Sequence, residues 1–334
     1  MGVANRKKIK KMKRYFGILI LSIVAGILIG CGRVPTPSPI STEASKTCAG
    51  KAITFGEISD DPNEVIKSKQ PFANYMAERL VSLGYECGKV KVVDTDDEMI
   101  ALIKKGEVDI YMDSMYPAML VSNATGAQPI LRRWRNCDPD YYSVIFTAAD
   151  SEITSIDDLP GHMVAMDQVY STSGFALPAV YLIDHGMNLV IKDSFDEALE
   201  ANEVGIYFSM DDKNTLNLVR EGKVSAGATD DYFFTKWEGE APGELVKLAE
   251  TASVSRQIVL VRFDLEGDVQ KAIIHELSNA NLDPAGLAAM KQDADTCKYD
   301  DTPFGVEAAF SQMQEMHNKI MEIPGWREAT VKDQ

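Results

Sequence analysis

The sequence predicts an α/β protein built as two nested lobes. Three observations carry that expectation: short apolar strands alternate with amphipathic helices, the alternation occurs in two successive runs, and two extended segments connect the runs. The folded stretch from Cys48 onward holds about 285 residues, more than one hydrophobic core usually serves.

The first run begins with an apolar strand at Ala52–Gly56, and Phe72–Leu83 then repeats apolar residues at helical spacing. Lys89–Val93 reads as the next strand, Asp97–Lys105 as a helix stopped by Gly106, and Val108–Met112 as a third strand. Three strand–helix units imply a parallel sheet with right-handed crossovers. A second run opens at Ser143–Thr147, turns through Ala149–Gly161, and continues with a strand at Met163–Met166 and a helix opening at Ser173-Gly174. Strand Gly205–Phe208, helix Asn214–Glu221 and strand Val224–Ala228 complete it. The chain returns through the β-branched segment Ile258–Arg262 and ends in helices over Val269–Ser278, Ala285–Lys291 and Val306–Ile323. Crossings near Tyr142–Thr147 and Ala249–Gln257 form a hinge, and lobes joined by two strands close around a ligand. The expected division is residues 49–143 with 250–334 in one lobe and 144–249 in the other.

Before the folded region stands a basic, then apolar, N-terminus. Arg6, Lys7, Lys8, Lys10, Lys11, Lys13 and Arg14 precede the apolar run Tyr15–Gly30, which ends in Leu28-Ile29-Gly30-Cys31. This resembles the lipobox of bacterial lipoproteins. It implies a signal peptide over residues 1–30, an acylated Cys31 and an extracytoplasmic protein anchored to the membrane by lipid. The other reading is an uncleaved anchor, since the run approaches the roughly 20 apolar residues that span a bilayer. The Pro/Ser/Thr-rich stretch that follows, within residues 31–48, reads as an extended tether.

Charge narrows the partners. Without those seven basic residues, 27 Lys+Arg remain of 34, against 50 Asp+Glu, a net charge near −23. Nucleic acid is a poor partner for such a chain, so an anionic ligand has to be held by local dipoles. With Cys31 assigned to lipid, Cys48, Cys87, Cys137 and Cys297 are an even set that suits an oxidising compartment. Cys48 precedes the first strand and Cys87 the second, which pairs Cys48 with Cys87 and Cys137 with Cys297; four free thiols are the alternative.

Several segments fall in one order: Gln70–Met76, Gly106–Asp109, Tyr141–Val144, Asp157–Gly161, Ser171–Pro178 and Ala228–Asp231. Together they resemble the phosphate/phosphite/phosphonate-binding proteins of ABC importers, the PhnD-like family, over about residues 50–300. The resemblance implies a type II periplasmic-binding-protein fold (a Venus flytrap), no catalysis and no cofactor. It also implies a monomer that passes a small anionic or zwitterionic ligand to an ABC permease.

The Ser171-Thr172-Ser173 run also has a physical case as a site. A strand precedes it and a helix follows, so unpaired N–H groups of the first turn and three hydroxyls form an anion nest without any basic side chain. Helix capping by Ser171 or Ser173 is the plain alternative. Tyr141 matches the family's pocket tyrosine, or packs as a hinge aromatic. Asp230 and Asp231 keep the family pattern, one facing the cleft and the other capping the next helix.

Three departures bear on the ligand. Asp113-Ser114 stands where phosphonate binders tend to show an aromatic and a glycine, and Asp113 either faces the crevice or caps the segment from Met115. Asp212 lies in Ser209–Asn214, where relatives often carry Gly-x-His. Arg256-Gln257 stands where amine-recognising relatives have an acid, and Arg256 is either the cationic contact or a surface charge of the hinge. The acids point to a ligand with a protonated or cationic end.

Other readings weigh less. His162, His185, His275 and His317 have no metal-binding spacing, the last two on surface-type helical patterns, and no G-x-S-x-G occurs. The same fold could bind a sulfonate or quaternary amine, or present a ligand to a receptor. Arg132-Arg133-Trp134-Arg135 is a basic cluster, read as a solvated loop or a permease contact.

Overall fold

The computed structural model describes residues 48–59 and 61–332, so the signal segment, Cys31 and most of the tether lie outside the described residues. The first run comprises β1 (Lys51–Ile58), α1 (Pro62–Arg79), β2 (Tyr85–Val93), α2 (Asp96–Lys104), β3 (Ile110–Asp113), α3 (Met115–Thr125) and β4 (Gln128–Arg133). A crossing strand β5 (Asp140–Tyr141) leads into β6 (Ser143–Ala148), β7 (Met163–Met166), a π-helical turn Thr172–Ala176, α4 (Leu177–Asp184), β8 (Asn188–Lys192) and β9 (Glu203–Phe208). The second run ends with α5 (Asp212–Arg220), β10 (Ala226–Asp230), α6 (Asp231–Glu240) and β11 (Leu245–Glu250). The return crossing is β12 (Val254–Ser255), followed by β13 (Gln257–Val261), α7 (Gly267–Asn279), α8 (Pro284–Gln292), β14 (Tyr299–Asp300), α9 (Val306–Ile320) and α10 (Trp326–Lys332).

Two six-stranded sheets result, ordered β14-β4-β13-β3-β1-β2 and β11-β6-β10-β7-β9-β8, and the short strands β5 and β12 pair antiparallel at the crossings. The expected parallel pairings occur as β1 with β2 and β3, and as β7 with β9 and β10. Neither sheet is purely parallel: β13 and β4, and likewise β6 and β11, run antiparallel to their neighbours. In each lobe the antiparallel strands adjoin a crossing, because a chain that leaves one sheet and returns must reverse beside it.

Sequence pattern and packing explain the elements together. Asp61 accepts from the Glu64 N–H and Thr95 from the Glu98 N–H, capping α1 and α2. Helix α1 starts ten residues before the expected Phe72, continuing through Pro71, and buries Phe72, Ala73 and Met76 against β1 and β2. Gly88 on β2 makes that approach possible, since a Cβ there would lie 2.1 Å from the Ala73 carbonyl. Strands β4, β8 and β11 are not among the expected strands, since none shows a clean apolar–polar alternation. The expected final helix, Val306–Ile323, ends at Ile320, and a further short helix, α10, follows it. Helix α9 packs against α3 and α4, and the Trp326 ring at the start of α10 stacks 5.7 Å from Phe175 behind the π-turn.

The cysteines join as expected, Cys48 to Cys87 and Cys137 to Cys297, with Cα separations of 5.8 and 4.9 Å. The basic cluster differs from the expectation. Arg132 is buried against Asp140 and Asp300, and Arg133 against Asp293, so neither lies on a solvated loop. His317 differs too: it is half-buried and its Nδ1 lies 2.8 Å from the Tyr116 hydroxyl.

Candidate functional site

A cavity of about 150 Å³ opens where the C-terminal ends of β3 and β10, the start of the π-turn and both crossings converge. Open α/β sheets place ligands beyond their strand ends, where helices begin. Asp113, Ser114, Arg135, Tyr141, Ser171, Thr172, Ser173, Asp230, Arg256 and Gln257 line it. Eight of these ten are residues the sequence singled out. Arg135 and Gln257 are additions.

The serine–threonine run divides its labour. The Ser171 oxygen accepts the Gly174 N–H at 3.1 Å, so this serine does cap the turn, while its own proton stays available to the cavity. Thr172 reaches across to the first lobe: its Oγ1 accepts the Tyr116 N–H at 2.9 Å and donates to Ser114 Oγ at 3.0 Å. Ser173 sits in the first turn, where the helix supplies no acceptor for its N–H. The π-turn widens that opening, and such turns recur at functional sites.

Tyr141 lies between these groups. Burial pushes its phenol up to about 12, only partly offset by hydrogen bonds with Thr172 and Ser114 and by the Arg256 charge, so it remains a neutral donor. The Arg256 guanidinium lies 4.9 Å from the centre of the Tyr141 ring, a cation–π arrangement. Arg256 is only 5 % exposed, so it is not a surface charge of the hinge. Its Nη2 stands 3.5 Å from Asp230 Oδ2, whereas Nη1 is buried with no hydrogen-bond partner among the described residues.

The acids are distributed unequally. Asp113 does not cap α3, a position held by Ser114. One Asp113 oxygen accepts the Ser114 N–H at 2.6 Å and the other accepts the Tyr111 hydroxyl. Burial and the nearby Glu57 carboxylate raise its pKa against those bonds and the Arg135 charge. Asp230 caps α6, accepting the Phe233 N–H at 2.6 Å, and turns its second oxygen to Arg256.

Asp212 and Asp231 do not line the cavity. Asp212 heads α5, where its Oδ1 accepts the Thr229 hydroxyl at 2.6 Å. Burial first, then the negative charge of Asp167, lifts its pKa to about 7. Asp231 begins α6 behind Asp230, and burial raises its pKa as well. Both supply like charge behind the wall rather than a contact.

Arg135 arrives through local backbone geometry. Asn136 and Cys137 have φ of 56° and 58°, Ala294 and Asp295 have 50° and 45°, and the two turns are tied by Asn136 N–H to Ala294 O, Cys137 N–H to Asp295 O and the Cys137–Cys297 disulfide. Non-glycine residues in this left-handed region carry strain that persists where surrounding structure holds them. Here the held segment delivers the Arg135 side chain to the cavity mouth.

Known proteins share this architecture. XAC2383 from Xanthomonas citri bound to chloride ion superposes with a TM-score of 0.74 at 24% identity, over 80% of this chain and 99% of that one. PhnD1 from Prochlorococcus marinus in complex with methylphosphonate gives 0.60 at 15% identity, over 82% and 99%. A binding protein component of an ABC phosphonate transporter from Pseudomonas aeruginosa gives 0.56 at 14% identity, over 82% and 99%. No curated protein sequence matches the chain. These likenesses establish the two-lobed type II periplasmic-binding-protein fold. The sequence pattern of one family, the periplasmic substrate-binding proteins of phosphonate ABC transporters, matches residues 55–297. The chain therefore belongs to the family of ABC transporter, phosphonate, periplasmic substrate-binding proteins.

Proposed function

We propose that this protein captures a small, singly protonated oxyanion of the phosphonate, phosphite or phosphate type between its lobes and delivers it to an ABC permease. The observation that carries the reading is Arg256, a buried cation that lines the cavity together with Ser171–Ser173 and whose Nη1 has no hydrogen-bond partner among the described residues. A buried donor left unpaired is costly, and an oxyanion is the acceptor that satisfies it. Family membership supports the phosphonate class. The cavity suits a compact ligand, well below the roughly 300–1,000 Å³ of drug-sized clefts.

Asp113 and Asp230 refine the class. Two carboxylates beside an anion require the ligand to present a hydroxyl or ammonium proton to them. Phosphonate, phosphite and phosphate keep such a proton near neutral pH, whereas sulfonate and sulfate do not. An aminoalkylphosphonate would offer its ammonium instead. The protein acts by binding, without catalysis.

The lipobox-like Leu28–Cys31 supports attachment through an acylated Cys31, with residues 49–143 plus 250–334 and residues 144–249 closing as two bodies about the crossings. Thermal-shift measurements on the fragment starting after Cys31, against phosphate, phosphite, methylphosphonate, aminoalkylphosphonates, sulfonates and betaines, test the ligand class. Stabilisation by phospho-compounds is expected, and its absence for every one of them would sink the assignment.

A further inference from the structure

We infer that Gln257 is a fixed hydrogen-bond donor to the bound ligand and that buried Arg133 is the positioning residue that aims it. The inference rests on the oxyanion reading above and deepens it. Gln257 opens β13, lines the cavity beside Arg256 and is 4 % exposed. An amide side chain offers an acceptor on one end and two donors on the other, and its neighbours decide which end faces where.

Here one neighbour decides. Gln257 is the cross-strand partner of Arg133, and Arg133 Nη1 donates to Gln257 Oε1 at 3.0 Å. A guanidinium has donors only, so the amide oxygen has to face Arg133, and the NH₂ group is left for the cavity.

Arg133 has no freedom to turn away. Its Nε donates to Thr296 Oγ1 at 2.8 Å, its Nη2 donates to the Asp293 carbonyl at 2.7 Å and lies 3.0 Å from the Asp293 carboxylate, and it is 1 % exposed. Lys69 holds the other carboxylate oxygen at 2.9 Å and is itself 3.0 Å from Glu57. Burial disfavours the Asp293 charge, but Arg133 and Lys69 outweigh it and bring its pKa to about 2. The bracing charges therefore persist across physiological pH.

A neutral donor does something that Arg135 and Arg256 do not. The two cations attract any anion, while the amide requires an unprotonated oxygen at one particular place. A ligand that turned a hydroxyl proton or an alkyl group toward Gln257 would leave a buried donor unpaired, and sites of that kind reject the mismatched analogue strongly. Gln257 thus fixes where a tetrahedral ligand must present an unprotonated oxygen, leaving its proton or carbon to be turned elsewhere in the cavity.

The test uses titration calorimetry of methylphosphonate and inorganic phosphate with the soluble chain and two variants. Gln257→Met removes the donor and is expected to weaken binding about 10- to 100-fold. Gln257→Glu keeps an acceptor for Arg133 but turns an acceptor to the cavity, so affinity should fall at least as far with the melting temperature preserved. The side-chain NH₂ resonances of Gln257 should shift when methylphosphonate is added, a response a purely structural glutamine would not give. If the parent chain binds both anions and Gln257→Met binds them within about threefold of it, the inference fails and the oxyanion reading stands. If the parent binds neither of these anions, nor phosphite nor an aminoalkylphosphonate, both fail.

Discussion

Replacing Arg256 by methionine isolates the group on which the oxyanion reading depends. In the ligand-free protein the guanidinium contributes its contact with the Tyr141 ring at 4.9 Å and a long ion pair with Asp230 at 3.5 Å. Together these are worth about 1 kcal/mol or somewhat more. Against that stands the cost of a buried Nη1 without a partner, about 1–3 kcal/mol. The two nearly cancel, so Arg256→Met should shift the melting temperature by only a few degrees. With ligand bound, Nη1 gains a charge-assisted hydrogen bond of about 1.5–3 kcal/mol, equivalent to about 10- to 150-fold in affinity. Calorimetric titration with methylphosphonate should therefore show that loss in a variant that folds normally. Arg256→Lys should fall between, keeping the charge but not the planar fork. An Arg256→Met protein that binds within about threefold of the parent would refute the reasoning, because the loss assigned to the Arg256 donor would be absent.

Two further outcomes follow from groups behind the cavity wall. The Asp212 pKa is raised from 3.8 to about 7, so its stabilising contribution is complete below about pH 3.8 and is lost as pH rises through 7. Asp212→Asn, which can still accept from Thr229, should be more stable than the parent by about 1–3 kcal/mol at pH 8 in chemical denaturation, with the difference vanishing near pH 4. For the disulfides, replacing Cys137 and Cys297 by serine opens a loop of 160 residues and frees the turn bearing Arg135, so both melting temperature and methylphosphonate affinity should drop. Removing the Cys48–Cys87 bond, whose residues line no part of the cavity, should lower the melting temperature and leave affinity unchanged.

How much was legible depended on whether a residue belonged to a pattern. The two strand–helix runs show in periodicity, and Ser171–Ser173 shows because a hydroxyl run between a strand and a helix has few other uses. Asp113 and Asp230 could be placed because strand ends in such sheets face the crevice. Asp212 and Asp231 shared that local signature, and only the three-dimensional turn of the chain put them behind the wall. Arg135 reads as surface charge in Arg132–Arg135; the clue to its placement is Cys137 two residues on, which anchors the turn to a segment distant in sequence. Gln257 stood in a departure from the family pattern beside Arg256 but carried no sign of a cavity role, since that role comes from its partner on strand β4, which the sequence pattern does not reveal.

The distribution of the cavity groups around the hinge has a kinetic meaning. Tyr141, Arg256 and Gln257 sit on or beside the crossing strands β5 and β12 and the start of β13, where the chain passes between the two sheets. Under the proposed closure about these crossings, atoms near them would sweep short arcs, so these donors would be in place whether the cleft is open or shut, whereas Ser171–Ser173 and Asp230 would travel with the second lobe. On that reading an arriving anion would meet the groups at the crossings first and the Ser-Thr-Ser arm afterwards, with Thr172 holding Ser114 and Tyr116 as it does in this structure. Encounter rate and residence time would thereby fall to different stretches of the chain, each open to alteration without the other.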